Sequence, residues 1–447
     1  MKKYIIAVGC LLLTLSAQSQ SGWTLRQCID FAIEHNIEIM QQDLKVKGAE
    51  VDLNSSKNER LPDLAGSANQ GFNFGRSPNP TTGIREAQTA SLTNFTVSTS
   101  MPLFTGFRLQ NQIKANQQSL YAAMAGLSKA KENMELQIVS YFLDVLFKKE
   151  ILKVFKEQVY LTQKQVDRTA ILVETGKVAQ SQLYDIKAQL AKDELNVTTS
   201  DNDLQLSLLN LAQVLNLQNI DGFDIEAPKL TETVMVEDVL AGLVKPDAVY
   251  TQAVQTRPHV KEAEFNVEST KQALKVAQAG YWPTLSFGAS YGNSFAHVYG
   301  SGITNSSISD QLRENYNMQL GFNVSVPIFN RFQTRNQVRQ ARLNIENQQL
   351  ILDNVKLALF KEIQQAYQNA TAAQAKFIST EKAYEASAES FKYAEERYQI
   401  GKTSVFEYSE AQTRLISSKS EQIQAKYDFV FRSKILDFYQ GKEIDME

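Results

Sequence analysis

A possible phosphate-binding loop is the first stretch of this 447-residue sequence that suggests chemistry. The segment ERYQIGKTSVFEYSEAQ begins at Glu396 and contains Gly401-Lys402-Thr403, which matches the end of a P-loop. A P-loop needs another glycine five residues before this glycine, but that position is Glu396, whose carboxylate would repel phosphate. No strand-like segment precedes it either. We therefore expect no nucleotide site here, and a lone glycine between two helix-forming runs needs another explanation.

Other residues with catalytic potential are dispersed. The histidines His35, His259 and His297 are far apart, no metal-ligand spacing occurs, and no nucleophile motif stands out. The net charge of −3 provides no basic field for nucleic acid. We expect no catalytic residue, cofactor, metal site or nucleic-acid partner.

The N-terminal segment predicts export. Residues 1–20, MKKYIIAVGCLLLTLSAQSQ, have a basic end, a short apolar core and small polar residues, as in a secretory signal peptide. The mature chain then keeps one cysteine, Cys28, and forms no internal disulfide. No later segment has the roughly 18 consecutive apolar residues of a membrane helix. The exported protein would therefore enter a membrane only as β-structure.

The chain repeats itself. Three pairs of segments match: RLPDLAGSANQGFNFG at Arg60 with YWPTLSFGASYGNS at Tyr281, STSMPLFTGFR at Ser98 with NVSVPIFNRFQ at Asn323, and LVETGKVAQSQLYDIKAQL at Leu172 with RYQIGKTSVFEYSEAQTRL at Arg397. Pro102 and Gly176 are 74 positions apart, and so are Pro327 and Gly401. This indicates an internally duplicated architecture. We predict a first repeat, a linker or equatorial segment, a second repeat and a tail at residues 21–220, 221–248, 249–440 and 441–447.

Each repeat contains a long run without helix breakers. No proline falls within 103–227 or 328–447. Helices of about 65 residues, roughly 100 Å long, are predicted there. Gly176 and Gly401 lie where each long helix must stop and reverse, and glycine supplies the left-handed backbone that this requires. The Gly-Lys-Thr stretch is therefore interpreted as the tip of a helical hairpin.

An apolar seam with a period of 3.5 residues runs along both long helices. In the second repeat it comprises Leu359, Ile363, Ala366, Ala370, Ala373, Phe377, Thr380, Tyr384, Ser387, Phe391, Ala394 and Tyr398. The positions 225 residues earlier run from Met134 to Val173. Such a period marks a coiled-coil seam, and its small residues leave two alternatives. The helix either packs in an ordinary two-helix coiled coil or has neighbours on two sides.

Four uncharged segments alternate between apolar and polar residues, which predicts β-strands. They are Leu64–Gly75, NFTVSTSM, TLSFGASYG and YNMQLGFNVSV. A soluble sheet usually carries Lys or Glu on its wet face, so these segments favour transmembrane strands, although a soluble sheet remains an alternative. The stretches Arg76–Ser91 and Ser294–Asn315, rich in Ser, Asn, Gly and Thr, are predicted to be exposed hairpin loops.

The fold class predicted from these patterns is an α/β membrane protein with long α-helical hairpins. Four strands cannot close a barrel, and an open edge cannot lie in lipid. Several chains must therefore share one barrel, and the helices would continue it as a tube on one side of the membrane.

Four features of the chain are characteristic together: the duplicated unit, the opening WTLRQCIDFAIEHNIEI, the strand borders LPxL and PLFxGF/PIFNRF, and the GK tips. In these features the chain resembles the TolC family of outer-membrane efflux proteins. The resemblance covers about Trp23 to Tyr439. It implies a homotrimer with a shared β-barrel in outer-membrane lipid and an α-barrel in the periplasm. It also implies the exit duct of a tripartite efflux pump or type I secretion system, with a periplasmic adaptor and an inner-membrane transporter as partners.

The resemblance also assigns residues. The acidic lining of the family's periplasmic aperture matches Glu407 and Glu410, with Gln182 and Asp185 at the equivalent first-repeat positions. Tyr398 matches a tyrosine that holds the closed state. At the tips, adaptor contact would involve Gly176, Lys177, Gly401, Lys402 and Thr403. Thr403 occupies the position of the family's latch arginine, so Lys177 or Lys402 would have to replace it.

Two other classes remain open. A passive outer-membrane porin would use similar strands but would not need proline-free helical runs. A periplasmic coiled-coil scaffold or adaptor would use the helices but not the uncharged strands. Membrane fractionation separates the scaffold from the barrel, and a low-resolution image separates porin from duct.

Overall fold

The computed structural model describes residues 22–78, 84–227, 245–299 and 304–442. The predicted signal peptide, residues 228–244 of the predicted linker and residues 443–447 of the predicted tail lie outside this part of the chain.

Each half of the chain consists of two shorter helices, a strand pair, a 67-residue helix and a 35-residue return helix. The first half comprises α1 Leu25–His35, α2 Ile37–Asn58, β1 Ala65–Pro78, β2 Arg85–Phe104, α3 Arg108–Glu174 and α4 Gln180–Val214. The second comprises α5 Pro246–Thr256, α6 Pro258–Gln278, β3 Thr284–Tyr299, α7 Ile308–Glu314, β4 Asn317–Ser325, α8 Gln333–Gln399 and α9 Val405–Tyr439. The predicted long helices and hairpins are confirmed.

The break between the first two helices is built alike in both halves. Asn36 and Arg257 have extended backbone and end α1 and α5. The side-chain amide of Asn36 donates a hydrogen bond to the Val214 carbonyl (2.8 Å), and the Arg257 guanidinium donates one to the Phe438 carbonyl. Each break residue thus caps the C-terminal end of its own return helix, where carbonyls lack partners. The duplication therefore extends to hydrogen bonds that residue types alone do not suggest.

The four strands form one antiparallel sheet in the order β1-β2-β3-β4. Val97 lies opposite Tyr291, which lies opposite Met318, and Phe287 lies opposite Phe322. Since directly opposed residues share a face of the sheet, the predicted apolar face is confirmed.

The predicted loops Arg76–Ser91 and Ser294–Asn315 are wrong in extent. Strand β1 runs to Pro78 and β2 begins at Arg85, while β3 continues to Tyr299 and α7 interrupts the second loop. The hydrogen bonds of an antiparallel sheet join backbone groups, so they form whatever the side chains are. Ser, Thr and Asn therefore do not end a strand. Polar composition was therefore a poor guide to where these strands stop.

The chain divides into two compact units, each with segments from both halves. Unit 1 comprises Met1–Leu44, Ala125–Val260 and Asn354–Glu447 and contains both hairpin reversals. Unit 2 comprises Lys45–Met124 and Lys261–Asp353 and contains the sheet. In the described part of the chain, no helix combines the length and apolar character needed to cross a membrane.

The core of unit 1 lies along the predicted seams. Ile138, Val145, Leu359 and Ile363 have no measurable solvent exposure. Helix α3 packs on two sides, against α4 through the pair Thr162 and Asp193 (2.7 Å between Oγ1 and Oδ2) and against α9. The contacts with α9 include Glu157 with Lys419 (3.3 Å) and Phe147 with Tyr427 (6.5 Å between ring centroids). The alternative with neighbours on two sides is therefore correct for α3.

Candidate functional site

The two hairpin reversals share one backbone design. Gly176 and Gly401 have φ of 68° and 73°, in the left-handed region. The amide of Gly176 donates to the Val173 carbonyl, and that of Lys177 donates to the Leu172 carbonyl, both at 2.9 Å. This pair of bonds is a Schellman motif, which satisfies the last carbonyls of a helix.

The second reversal repeats the motif. The Gly401 amide donates to the Tyr398 carbonyl (3.1 Å), and the Lys402 amide donates to the Arg397 carbonyl (2.8 Å). A Cβ placed on either glycine would meet no atom within 4 Å. The requirement for glycine therefore comes from the backbone angle rather than from crowding, and the predicted role in chain reversal is confirmed.

The return helices begin differently. Ser404 caps α9, and its hydroxyl accepts a hydrogen bond from the Glu407 amide (3.2 Å), whereas Ala179 precedes α4 without a side-chain cap. The Thr403 hydroxyl donates to the Glu407 carboxylate. Thr403, which sits where a latch arginine was expected, thus bonds within its own turn.

The electrostatics of the second reversal favour a charged Glu407. The Thr403 hydrogen bond lowers the pKa of Glu407 below its usual range, and the Ser404 cap and Arg397 add to this effect. Glu410 lies one turn further along and pairs with Arg414 (3.0 Å), with both side chains more than half exposed. Glu407 thus stands in solvent as a carboxylate held by hydrogen bonds of its own turn, while Glu410 is partly compensated by its ion pair with Arg414.

The structure places the predicted aperture residues at the two tips without joining them directly. In the first hairpin Gln182 is half-buried and Asp185 is exposed. Within the described residues, neither side chain forms a hydrogen bond or ion pair with Glu407 or Glu410. Their assignment to an aperture stays a prediction.

Tyr398 packs within the second hairpin. Its ring stacks on that of Tyr408 at 4.8 Å between centroids. Tyr408 is buried, and this burial, with the charge of Glu395, raises its pKa to about 12. Sequence reasoning missed Tyr408, because the equivalent first-half residue is Leu183 and the duplication gave no indication of a tyrosine pair.

A hydrogen bond between α3 and the end of α8 ties the two hairpins together near their ends. The Arg168 guanidinium on α3 donates to the Gln399 carbonyl at the end of α8 (3.1 Å). Lys177 and Lys402, the cations expected from the sequence, are exposed at the tips. Arg168 was missed because its acceptor is a backbone carbonyl, which leaves no trace in the residue pattern.

Two further features bear on the chemistry of the described residues. Among the described residues, no group of His, Cys, Asp and Glu is arranged to hold a metal ion. Burial raises the pKa of the Cys28 thiol to about 12, so it is unreactive near neutral pH. Helical hairpins with charged tips and a four-stranded sheet are the elements that the predicted exit duct requires.

Comparison with known proteins identifies the family. The outer membrane efflux protein family matches residues 28–217 and 249–441. The outer membrane protein TolC of Escherichia coli K12 is 22% identical over 441 residues, covering 96% of this chain and 84% of TolC. The outer membrane efflux protein BepC of Brucella suis is 20% identical over 438 residues, covering 97% of this chain and 89% of BepC.

Solved structures agree in fold. The CmeC outer membrane channel of Campylobacter jejuni superimposes with a TM-score of 0.77 at 17% identity, covering 97% of this chain and 92% of CmeC. The outer membrane protein VceC of Vibrio cholerae superimposes with a TM-score of 0.75 at 18% identity, covering 94% of this chain and 97% of VceC. The chain therefore belongs to the outer membrane efflux protein family.

Membership confirms the predicted class, fold and location. Proteins of this class are homotrimeric exit ducts of the outer membrane with a large periplasmic portion. They work with periplasmic adaptors and inner-membrane transporters in tripartite pumps. The porin and scaffold alternatives are thereby set aside.

Proposed function

We propose that three copies of this chain form one continuous exit duct for efflux. The four-stranded sheets join edge to edge as a shared β-barrel in the outer membrane, since β1 and β4 each have an unpaired side in a single chain. The helical hairpins, which end at the reversals around Gly176 and Gly401, supply the periplasmic portion of the duct.

The observation that carries this proposal is the repetition of one hairpin end. Both reversals use the same pair of backbone bonds, and both leave the following lysine exposed. Three copies would therefore present six tips with the same backbone design. Such a ring suits the docking of a periplasmic adaptor, which we assign to the tips with Lys177, Lys402 and Thr403.

We assign the aperture to the start of α9. Glu407 and Glu410 are exposed, and the low pKa of Glu407 keeps it ionised. Threefold symmetry would collect their carboxylates in a narrow mouth, where like charges attract cations and hold back anions. Multivalent cations would bind there and obstruct the flow. Gln182, Asp185 and Tyr398 would complete the same constriction, and no chemical reaction is assigned to any of these residues.

The tip assignment is tested by substitutions that affect only the backbone angle. Replacing Gly401 with valine forces a β-branched residue into the left-handed region, at a cost of about 1–2 kcal/mol. We expect export of a fluorescent efflux substrate to fall, while the amount of trimer in the outer membrane is unchanged.

The matched control is Gly401→Asn, because asparagine tolerates the left-handed conformation. It should keep export near the wild-type level. Unchanged export by Gly401→Val, with trimer present in normal amounts, would rule out a role of this tip in assembly of the pump.

A further inference from the structure

The break between α5 and α6 carries a larger polar group than capping a helix requires. In the first half Asn36 performs this task with both polar groups of its side chain in use, since its amide caps α4 and its oxygen accepts a hydrogen bond from the Glu38 amide (2.8 Å). Arg257 is 5% exposed, and its guanidinium donates to the Phe438 carbonyl and to the Glu132 carboxylate (3.2 Å). Among the described residues, the Nε of Arg257 has no acceptor.

This surplus donor needs an explanation beyond the cap. A buried N–H group without an acceptor is costly, and so is the removal of a guanidinium from water. The asparagine at the first break achieves the same cap with no donor left over. The arginine at the second break therefore indicates a further partner for its Nε, and such a partner must supply an oxygen.

Arg257 lines a cavity of about 290 Å³ that offers space for such a partner. The lining also includes Ile29 and Ile33 of α1 and Phe438 near the end of α9, which give the cavity an apolar side. All of the lining residues belong to unit 1. The volume is at the lower limit of ligand pockets and would hold a molecule of roughly ten non-hydrogen atoms.

The charges around the cavity balance in number. Three lining residues are cationic and three are anionic, namely Arg26, Arg257 and Lys442, and Asp30, Glu132 and Glu135. A ligand with a single charge would meet as many repulsive as attractive groups. A ligand that carries one charge of each sign suits this lining better, because each end can face the opposite charge.

The lining charges differ in how firmly they are held. The side chains of Arg26 and Asp30 pair at 3.2 Å but are 63% and 59% exposed, and exposed pairs of this kind are weak enough to rearrange. The Arg257 side chain is 6% exposed and lies over the Phe438 ring at 4.0 Å from its centroid. The guanidinium thus provides a fixed point for an incoming oxygen.

Glu132 provides the second fixed point. Its pKa is raised by burial, although the charge and the hydrogen bond of Arg257 act in the opposite direction. The arginine therefore does not fully offset the loss of water around this carboxylate. A second cation beside Glu132 would supply the missing compensation, and an ammonium group on the ligand would do so.

We propose that this cavity binds a small zwitterion with an apolar body, of the α-amino acid class. The carboxylate of the ligand accepts a hydrogen bond from the Nε of Arg257, its ammonium group pairs with Glu132, and its side chain packs on Ile29 and Phe438. Bound in this way, the ligand joins α1, α3 and the end of α9. The site includes none of the residues assigned to the tips or the aperture, so it is separate from the proposed function in export.

Binding of L-leucine and two of its derivatives to the purified trimer in detergent tests the proposal by equilibrium dialysis. L-Leucine should bind saturably, with a dissociation constant of roughly 0.1–1 mM for two charge-assisted contacts. N-Acetyl-L-leucine lacks the ammonium group and L-leucine methyl ester lacks the carboxylate. Each derivative should bind at least ~10-fold more weakly, because one fixed point loses its partner.

Two substitutions locate the site. Arg257→Asn copies the first break, so it should keep the cap of α9 and lose the fixed donor, and Glu132→Gln should remove the partner of the ammonium group. Both should weaken binding of L-leucine by at least ~10-fold. The matched control is Glu38→Gln, which neutralises an exposed carboxylate beside the first break and should leave binding unchanged.

Three results would overturn the proposal. They are the absence of saturable L-leucine binding up to ~10 mM, equal binding of L-leucine and either derivative, and binding of wild-type strength by an intact trimer of Arg257→Asn. If Arg257→Asn yields no folded trimer, the three ligands on the wild type and L-leucine on Glu132→Gln decide the matter. Unchanged binding by Glu132→Gln would then contradict the site. Export is not the readout, so failure here leaves the proposed function intact.

Discussion

The two long hairpins come from one duplicated unit, but their interiors are stabilised by different interactions. In the first hairpin Asp193 is 2% exposed, and its carboxylate accepts hydrogen bonds from Thr162 (2.7 Å), Gln189 (2.8 Å) and Gln158 (3.3 Å). A buried carboxylate needs such donors, because its charge is costly to remove from water. This network fixes the register of α3 against α4.

The second hairpin lacks this network. The residue equivalent to Asp193 is Ser418, whose hydroxyl donates to the Leu415 carbonyl of its own helix (2.9 Å). One of its buried clusters is apolar: Phe377 stacks on Phe429 at 6.1 Å between centroids, beside the small residues Ala373 and Ala425. Apolar contacts are non-directional and tolerate sliding better than a hydrogen-bonded ion. The comparison suggests that the first hairpin is held in one register and that the second is freer to shift.

The largest expected effect is at the buried carboxylate. Asp193→Ala removes the acceptor of three hydrogen bonds in a buried site and should destabilise the first hairpin by about 3 kcal/mol. The matched change Ser418→Ala removes one bond within a helix and should cost about 0.5–1 kcal/mol. Hydrogen exchange of the amides of α3 and α4, measured on the trimer in detergent, reports these local opening energies. Equal losses in the two variants would remove the distinction between the hairpins.

An intermediate effect is expected at high pH. Burial is the main cause that raises the pKa of three tyrosines on α9, namely Tyr408, Tyr427 and Tyr439. The pKa of Tyr408 and that of Tyr439 are each raised to about 12. A raised tyrosine pKa means that the unfolded state loses its proton first, so stability is intact below about pH 10 and declines as the pH rises towards 12. We expect the second hairpin to loosen in this range, by about 1–2 kcal/mol for Tyr408.

Tyr408→Phe should remove part of this alkaline loss, whereas Tyr393→Phe, at an exposed ring of α8, should not. Circular dichroism of the trimer as a function of pH, with tyrosinate absorbance recorded in parallel, provides the measurement. A wild-type protein whose helicity is unchanged through this range would show that these tyrosines do not limit the stability of α9.

The smallest effect is expected at the bond between the hairpins. Arg168→Gln removes the donor to the Gln399 carbonyl, and because the arginine is exposed the cost should be below about 1 kcal/mol. The change should appear as faster hydrogen exchange at the end of α8 and a modest rise in the conductance of the closed duct. Arg432→Gln, which removes an arginine paired with Asp428 within α9, serves as the control. Equal responses to both substitutions would argue against a specific link.

The features that could be predicted from the sequence are those encoded locally. Three local signals defined the long hairpins: the absence of proline, the 3.5-residue apolar period and a lone glycine at each reversal. Each of these signals acts over a few neighbouring residues. Strand ends were not encoded in this way, since ladder bonds extended β1 and β3 through polar residues. Asp193 and Arg168 were missed for a related reason. Their partners lie on another helix, and a polar residue in the sequence does not reveal whether it is buried.

The tip residues illustrate the same limit. The spacing of Glu407 and Glu410 correctly placed both near the start of a return helix. It did not reveal that Thr403 and Ser404 hold Glu407 within its own turn, nor that Glu410 is paired with Arg414. These bonds make the two carboxylates unequal, and we expect Glu407 to contribute more to the field of the aperture.

The most direct test of the account is the ion selectivity of the duct in a planar bilayer. The wild-type protein should conduct weakly, prefer cations in a salt gradient and be blocked from the periplasmic side by multivalent cations. Glu407→Gln/Glu410→Gln should move the reversal potential most of the way towards zero and relieve the block, while Glu421→Gln, an exposed control on α9, should change neither. A reversal potential that is the same in the double variant and the wild type would contradict the account, because these carboxylates would then be an ordinary solvated helix face.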